Sequence, residues 1–162
     1  MKHLTHILRG INILESQGDM SQIVSKIIFD SRKVEENCLF VAVRGTQVDG
    51  HDFIQKSIAG GAKAIVCEKI PEQTAGITFI KVADASVALG EMAANFYDNP
   101  TEKLKVVGIT GTNGKTSTAT LLYDLFTGLG YKCGLVSTVE YRIAGTILPS
   151  THTTPDQIAL QK

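Results

Sequence analysis

Leu104-Lys-Val-Val107 runs directly into Gly108-Ile-Thr-Gly111-Thr-Asn-Gly114-Lys115-Thr116-Ser117, and this stretch decides the reading of the chain. An apolar run of strand character leads into a glycine-rich loop, the loop carries Gly-Lys-Thr, and an amphipathic stretch follows. That layout describes a phosphate cradle. Glycines let backbone N–H groups turn toward an anion, and the N-terminus of the next helix adds a positive dipole. Lys115 is placed to reach the β- and γ-phosphates, and Thr116 offers the hydroxyl that such loops use to hold Mg²⁺. The common nucleotide loop has a glycine five residues before the Gly of Gly-Lys-Thr, but Ile109 stands there, and the glycines fall at 108, 111 and 114. The alternative is a glycine-rich turn with Lys115 merely solvated, which the flanking strand and helix patterns disfavour. ATP-binding residues expected on this basis are Gly111, Thr112, Asn113, Gly114, Lys115, Thr116 and Ser117, with Lys115 the catalytic group and Thr116 the metal ligand.

The sequence before the loop reads as alternating strands and helices. A short helix is expected over residues 3–9. Strands are expected over Ile23–Phe29, Leu39–Val43, Ala64–Cys67 and Ile77–Val82. Asp49-Gly50 opens a helix with Phe53, Ile54, Ser57 and Ile58 on one face, which stops at Gly60-Gly61. Asp84 caps a further helix whose apolar set includes Val87, Leu89, Met92, Ala93 and Phe96 and which ends at Asp98-Asn99-Pro100. After the loop come a helix over about Thr116–Thr127, with Leu121, Leu122, Leu125 and Phe126 buried, and a parallel strand over Lys132–Ser137. A hairpin around Ala144-Gly145 follows, then a helix opened by Asp156. The pattern gives an α/β fold.

Composition narrows the partners. The 162 residues are 43% hydrophobic and 20% charged, and sixteen basic residues balance sixteen acidic ones. No basic run signals nucleic acid, and no apolar stretch is long enough to span a membrane. Cys38, Cys67 and Cys133 are widely spaced and odd in number, and they read as buried thiols of a reducing cytoplasm. The four histidines match no zinc spacing.

With these residues assembled, the chain resembles the Mur ligases, the ATP-dependent amide-forming enzymes of peptidoglycan synthesis. The loop Gly108–Ser117 is similar to that superfamily's variant ATP loop, which folylpolyglutamate synthetases share. Phe29-Asp-Ser-Arg32 and Cys38-Leu-Phe-Val-Ala-Val-Arg-Gly45-Thr-Gln-Val-Asp-Gly50 are similar to the family's uridine-nucleotide-binding domain. Ser150-Thr-His-Thr-Thr-Pro-Asp156 is similar to a substrate-contacting segment of the members that add the third, diamino residue of the stem peptide. The resemblance implies a small N-terminal uridine-nucleotide-binding α/β domain over residues 1–83. Residues 84–162 would then begin a P-loop-type parallel-sheet ATP-binding domain. It also implies ATP, Mg²⁺, UDP-muramoyl-dipeptide and a diamino acid as ligands of a monomeric cytoplasmic enzyme that works through an acyl phosphate. Other Mur ligases, a folate polyglutamylating enzyme, and a P-loop kinase or NTPase stand as alternatives.

By resemblance, Ser31 contacts the UDP part of the substrate, and Thr46, Gln47 and Val48 line the uracil and sugar side. Thr153 and Thr154 contact the muramoyl-peptide, with His152 beside them. From the residues alone, Asp30-Ser31-Arg32 reads equally as an Asx-type turn with a solvated Arg, residues 46–48 as a connector, and Thr153 and Thr154 as helix capping. A nucleotide domain of this kind usually needs about five or more parallel strands. The chain is therefore expected to be the N-terminal part of a longer enzyme and inactive by itself.

Overall fold

A computed structural model describes residues 1–45, 48–72, 76–143, 145–149 and 156–161. They form two compact units, Met1–Lys103 and Leu104–Leu160.

In the first unit, β1 (Lys2–His3) leads into the one-turn helix α1 (Leu4–Ile7), and β2 (Ile13–Gln17) follows. Next come β3 (Ile23–Val24), β4 (Ile27–Ile28), β5 (Leu39–Val41), α2 (Ile54–Ala59), β6 (Ala64–Cys67), β7 (Thr78–Val82) and α3 (Ala85–Phe96). A five-stranded sheet runs in the order β2-β7-β6-β5-β4. Strands β4 to β7 are mutually parallel, and β2 adds antiparallel to β7.

Parallel sheets must be covered on both faces, and the strand sequences supply apolar residues to each. Ile28, Phe40, Ile65, Cys67 and Phe79 pack with Ile54 from α2 and Ala62 in one buried cluster. The alternate residues Leu39, Val41, Val66 and Ile80 point the other way and are equally buried. Helices α1 and α3 contribute buried Leu4, Ile7, Leu89 and Met92, and Asn95 Nδ2 donates to the carbonyls of Ile7 (2.9 Å) and Arg9 (2.8 Å). Asp84 caps α3 through the amides of Ser86 (2.8 Å) and Val87 (2.9 Å), and the left-handed Asp98 and Asn99 end it. The first unit thus continues past residue 83 through α3, because that helix buries its apolar face there. Val87, expected on the buried face, is exposed.

Two strand expectations change in detail. Residues 23–29 are not one strand, because β3 pairs with β1 while β4 pairs with β5, and Ser25-Lys26 makes the break. Strand β2 was not anticipated. Cys38 and Cys67 are buried free thiols, and burial raises both, Cys67 to about 11, so neither is nucleophilic. Cys133 is only half-buried.

In the second unit, α4 (Lys115–Gly128) precedes β8 (Gly134–Val136), β9 (Glu140–Ile143), β10 (Thr146–Pro149) and α5 (Gln157–Gln161). The three strands form a meander in the order β10-β9-β8, with both pairings antiparallel. The strand within 132–137, expected to be parallel, therefore pairs through a chain reversal with the hairpin that follows it. Leu104–Val107, expected as a strand, has no strand partner among the described residues, and Val106 is 73% exposed. Helix α4 turns its half-buried face toward the meander, where the Arg142 guanidinium lies 5.4 Å from the Tyr123 ring centre and 3.3 Å from Asp124 Oδ1. The stripe Leu121, Leu125 and Phe126, expected in a core, is exposed because the described residues of this unit pack against the other face. Gly130, at φ +87°, follows the helix end. Asp156 caps α5 through the amides of Ile158 and Ala159. Among the described residues no helix is long and apolar enough to cross a membrane.

Burial separates the two helices energetically. Met92→Ala in α3 should cost about 2–5 kcal/mol of stability, whereas Leu121→Ala on the exposed stripe of α4 should stay within about 0.5 kcal/mol. Urea midpoints of the two variants check this, and a large loss at Leu121 would show that the stripe is covered.

Candidate nucleotide and substrate sites

The glycine-rich loop ends on Gly114, which is the N-cap of α4 at φ +77°. Only glycine adopts that conformation without strain, and lacking a side chain it cannot cap the helix itself. The first intrahelical bond runs from Thr118 N to Gly114 O at 2.9 Å. The amides of Lys115, Thr116 and Ser117 lie before it in the first turn, without a side-chain cap. They open on a pocket of about 370 Å³ lined by Thr112, Asn113, Gly114, Lys115, Thr116, Ser117 and Thr138. Gly111 precedes these lining residues at the turn of the loop. Lys115 Nζ donates back to the carbonyls of Gly111 (2.5 Å) and Thr112 (3.4 Å), so its charge is held over the loop. Donors, a helix dipole and one ammonium converge here, a set of groups that fits a polyphosphate.

A divalent cation beside such a phosphate takes oxygen ligands. Thr116 supplies one hydroxyl, and its Oγ1 lies 3.0 Å from Thr138 Oγ1. Among the described residues no group of three or more His, Cys, Asp or Glu is placed to hold a metal alone. The donor set therefore fits a cation held jointly with phosphate oxygens and water. Thr138 was not foreseen from the sequence.

The second candidate site follows the C-terminal ends of β4 and β5, neighbouring parallel strands whose loops leave from one edge of the sheet. Such edges are where open α/β sheets bind ligands. Ser31 begins a short 3₁₀ turn (Ser31–Lys33) just after β4, and its side is partly open. Asp30 caps that turn through Arg32 N (3.0 Å) and also receives the Arg32 guanidinium in a fork, Nε at 2.9 Å and Nη2 at 2.9 Å. Arg32 is thus paired with Asp30 while its side chain remains 82% exposed. The paired Arg32 holds the Asp30 carboxyl down at about 2.

After β5, the chain closes a tight loop. Gly45 N donates to Val48 O (2.9 Å), Arg44 bridges Asp49, and Gly50 N donates to Val43 O (2.9 Å). A Cβ at Gly50 would sit 2.5 Å from Val43 O, so only glycine permits that approach. Val48 is exposed on this loop. Thr46, Gln47, His152, Thr153 and Thr154 lie outside the described residues.

The loop is anchored by a network that the sequence reading missed. His51 Nε2 accepts from Glu68 N at 2.9 Å, which leaves the ring proton on Nδ1 for Asp49 Oδ1 at 2.6 Å. The bonds from His51 hold the Asp49 carboxyl below its usual range. Glu68 in turn accepts from Ala85 N (3.2 Å) and pairs with Arg44 (3.1 Å). The ends of β5 and β6 and the start of α3 are thereby tied together. The motif Asp49-Gly50-His51 was the available signal.

Two family models match this chain, one described as "Mur ligase family, catalytic domain" over residues 24–97 and one as "Mur ligase middle domain" over residues 109–162. The chain belongs to the Mur ligase family. It is 54% identical over 158 residues to the UDP-N-acetylmuramoyl-L-alanyl-D-glutamate–2,6-diaminopimelate ligase of Cytophaga hutchinsonii, covering 96% of this chain and 32% of that relative. The chain thus spans about a third of the length of the curated relatives it matches. A solved UDP-N-acetylmuramoyl-L-alanyl-D-glutamate–2,6-diaminopimelate ligase shares the fold across 99% of this chain and 32% of its own, at a TM-score of 0.65 and 24% identity. The MurF ligase of Thermotoga maritima, solved in complex with ADP, is 32% identical over 65% of this chain and 24% of its own, with a TM-score of 0.50. Among Mur ligases, the described residues of this chain place the expected phosphate-loop residues together and Ser31 and Val48 on one sheet edge.

The Asp30 pair carries a pH signature. A carboxyl whose folded value is depressed adds stability that is fully present above its unfolded value, about 3.9, and is lost as pH falls through about 2. The stability gap between the wild-type chain and Asp30→Asn should therefore narrow as pH is lowered from about 5 to about 2 in urea titrations. A gap independent of pH would show that the Arg32 fork contributes nothing to folding.

Proposed function

We propose that these residues serve an ATP-dependent ligase of peptidoglycan precursor synthesis. Its reaction joins a diamino acid to UDP-N-acetylmuramoyl-L-alanyl-D-glutamate as the third residue of the stem peptide. The observation that carries the reading is the pocket at the uncapped start of α4, lined by Gly114, Lys115 and Thr116. The name of the Cytophaga hutchinsonii relative supports the substrate and favours 2,6-diaminopimelate over lysine as the amine.

Making an amide from a carboxylate and an amine in water is uphill, so the carboxylate must first gain a better leaving group. ATP transfers its γ-phosphoryl group to the carboxylate and leaves as ADP, and the amine then attacks the carbonyl of the acyl phosphate and expels inorganic phosphate. The protein's share is positioning and charge neutralisation. The amides of residues 115–117 and the Lys115 ammonium offset phosphate charge that would repel an approaching carboxylate. Gly111, Thr112, Asn113 and Ser117 shape the rest of the cradle, and Thr116 presents its hydroxyl to Mg²⁺.

We assign the uridine-nucleotide part of the substrate to the first unit, with Ser31, Thr46, Gln47 and Val48 as contacts, and ATP to the second. The common edge from which Ser31 and Val48 leave β4 and β5 supports this. Thr153 and Thr154 are assigned to the muramoyl-peptide on the likeness of their segment to family members. A monomer in the cytoplasm suits the free thiols of Cys38 and Cys67. A cation at Thr116 would be held jointly with phosphate oxygens and water, since among the described residues no group of three or more His, Cys, Asp or Glu stands there.

Two measurements test the reading. Calorimetric titration of the 162-residue chain should show MgATP and the UDP-muramoyl-dipeptide binding independently. Exchanging these residues for the matching segment of the Cytophaga hutchinsonii ligase should give a chimera that releases ADP only with dipeptide and diaminopimelate present. Lys115→Ala in that chimera should lower the rate at least about a hundredfold, the loss of roughly 2.7 kcal/mol expected for one transition-state contact. A correctly folded Lys115→Ala chimera with near-normal turnover would overturn the assignment.

A further inference from the structure

Thr138 meets the phosphate loop from the far side of the pocket. It lies in the turn between β8 and β9, where the buried Ser137 (7% exposed) ties the backbone down. Ser137 Oγ donates to Glu140 O at 2.9 Å and accepts from the amides of Val139 (3.3 Å) and Glu140 (3.2 Å), while Ser137 N donates to Glu140 O at 3.2 Å. Four bonds on one residue make this turn stiff. At its tip the exposed Thr138 brings Oγ1 to 3.0 Å from Thr116 Oγ1, and both residues line the pocket.

A hydroxyl has one proton and two lone pairs. When it ligates a cation, a lone pair must face the metal, and the proton must point away toward an acceptor. Thr138 Oγ1 stands at hydrogen-bonding distance for that role. We propose that Thr138 is a positioning residue: its Oγ1 accepts a hydrogen bond from the Thr116 hydroxyl and so fixes a lone pair of Thr116 toward the divalent cation that accompanies the nucleotide. The inference rests on the phosphate-cradle reading above. Thr138 itself acts through Thr116, and Ser137 acts through Thr138.

The role is separable from packing by two substitutions. Thr138→Val keeps the shape and removes the acceptor, whereas Thr138→Ser keeps the hydroxyl and removes the methyl. The measurement is ATP binding to the 162-residue chain, with Mn²⁺ followed by paramagnetic resonance and with EDTA in parallel. Thr138→Val should weaken Mn²⁺-dependent ATP binding by about three- to tenfold, the range of one hydrogen bond. It should leave ATP affinity in EDTA within about twofold of wild type, with an altered Mn²⁺ signal. Thr138→Ser should match wild type in both buffers. Ser137→Ala should follow Thr138→Val in direction.

Equal Mn²⁺ dependence in Thr138→Val and wild type would overturn the inference. So would a Thr138→Ser variant as impaired as Thr138→Val, which would mark a packing role, or equal weakening of Thr138→Val in EDTA. In each of these cases the wild-type chain still binds ATP, and the cradle reading stands. If the wild-type chain binds no ATP in either buffer, the cradle reading fails and this inference falls with it.

Discussion

Four parallel strands that must be covered on both faces set the organisation of the first unit. A parallel pair cannot be joined by a tight turn, so the chain must cross over between strands, and each crossover leaves from the C-terminal edge of the sheet. In this protein β5 is joined to β6 through α2, whose Ile54 enters the cluster formed by Phe40, Ile65 and Phe79. After β7 the chain enters α3, which buries Leu89 and Met92. Burial of these faces concentrates the polar and irregular segments at the edge where the strands end. Asp30, Ser31, Arg44, Asp49, His51 and Glu68 all lie in those segments. Their hydrogen bonds are what allow irregular backbone to persist beside a dry core.

The charged groups at that edge are largely matched among themselves. Asp30 takes both the amide and the guanidinium of Arg32, and Arg44 spans Asp49 and Glu68. With its ring proton on Nδ1, His51 serves as a neutral linker between a carboxylate and a backbone amide. The pocket at α4 differs in kind. Its positive character comes from backbone amides that no side chain caps, together with Lys115 resting on carbonyl oxygens. Carbonyls are neutral acceptors, and a phosphate oxygen bearing charge makes the stronger bond. Lys115 can therefore transfer to an entering phosphate at small cost, because its chain is already folded over the loop.

Features encoded within a few residues were legible in the sequence. Gly114-Lys115-Thr116 announced a loop and a helix start, and Asp84, Asp49 and Asp156 each cap where a helix was expected to open. Features that depend on distant pairing were not. Strand β2 reads Ile-Leu-Glu-Ser-Gln and is exposed along most of its length, so no alternation betrays it, and only the partner β7 makes it a strand. Val106 and Val107 carry strand propensity without a paired neighbour among the described residues, and propensity alone does not form a strand. The direction of β8 was misread for the same reason: the nearest partner is the hairpin strand that follows. Thr138 was invisible because a lone hydroxyl reaching a residue 22 positions away has no sequence signature.

The two hydroxyls also show why a loop of this kind cannot be understood from its own residues. Amides at a helix start point where the backbone sends them, and their orientation is fixed once α4 forms. A threonine hydroxyl rotates about its C–O bond and gains direction only from a partner. For Thr116 that partner sits on a different element, and its position depends on the turn that Ser137 closes between β8 and β9. The meander beside α4 thus does more than cover the half-buried face of the helix. Arg142 on β9 grips Asp124 and Tyr123 of α4, setting helix and meander relative to one another. The turn that carries Thr138 inherits that placement. Electrostatic preorganisation at the loop is in this sense a property of the antiparallel meander as much as of the glycines.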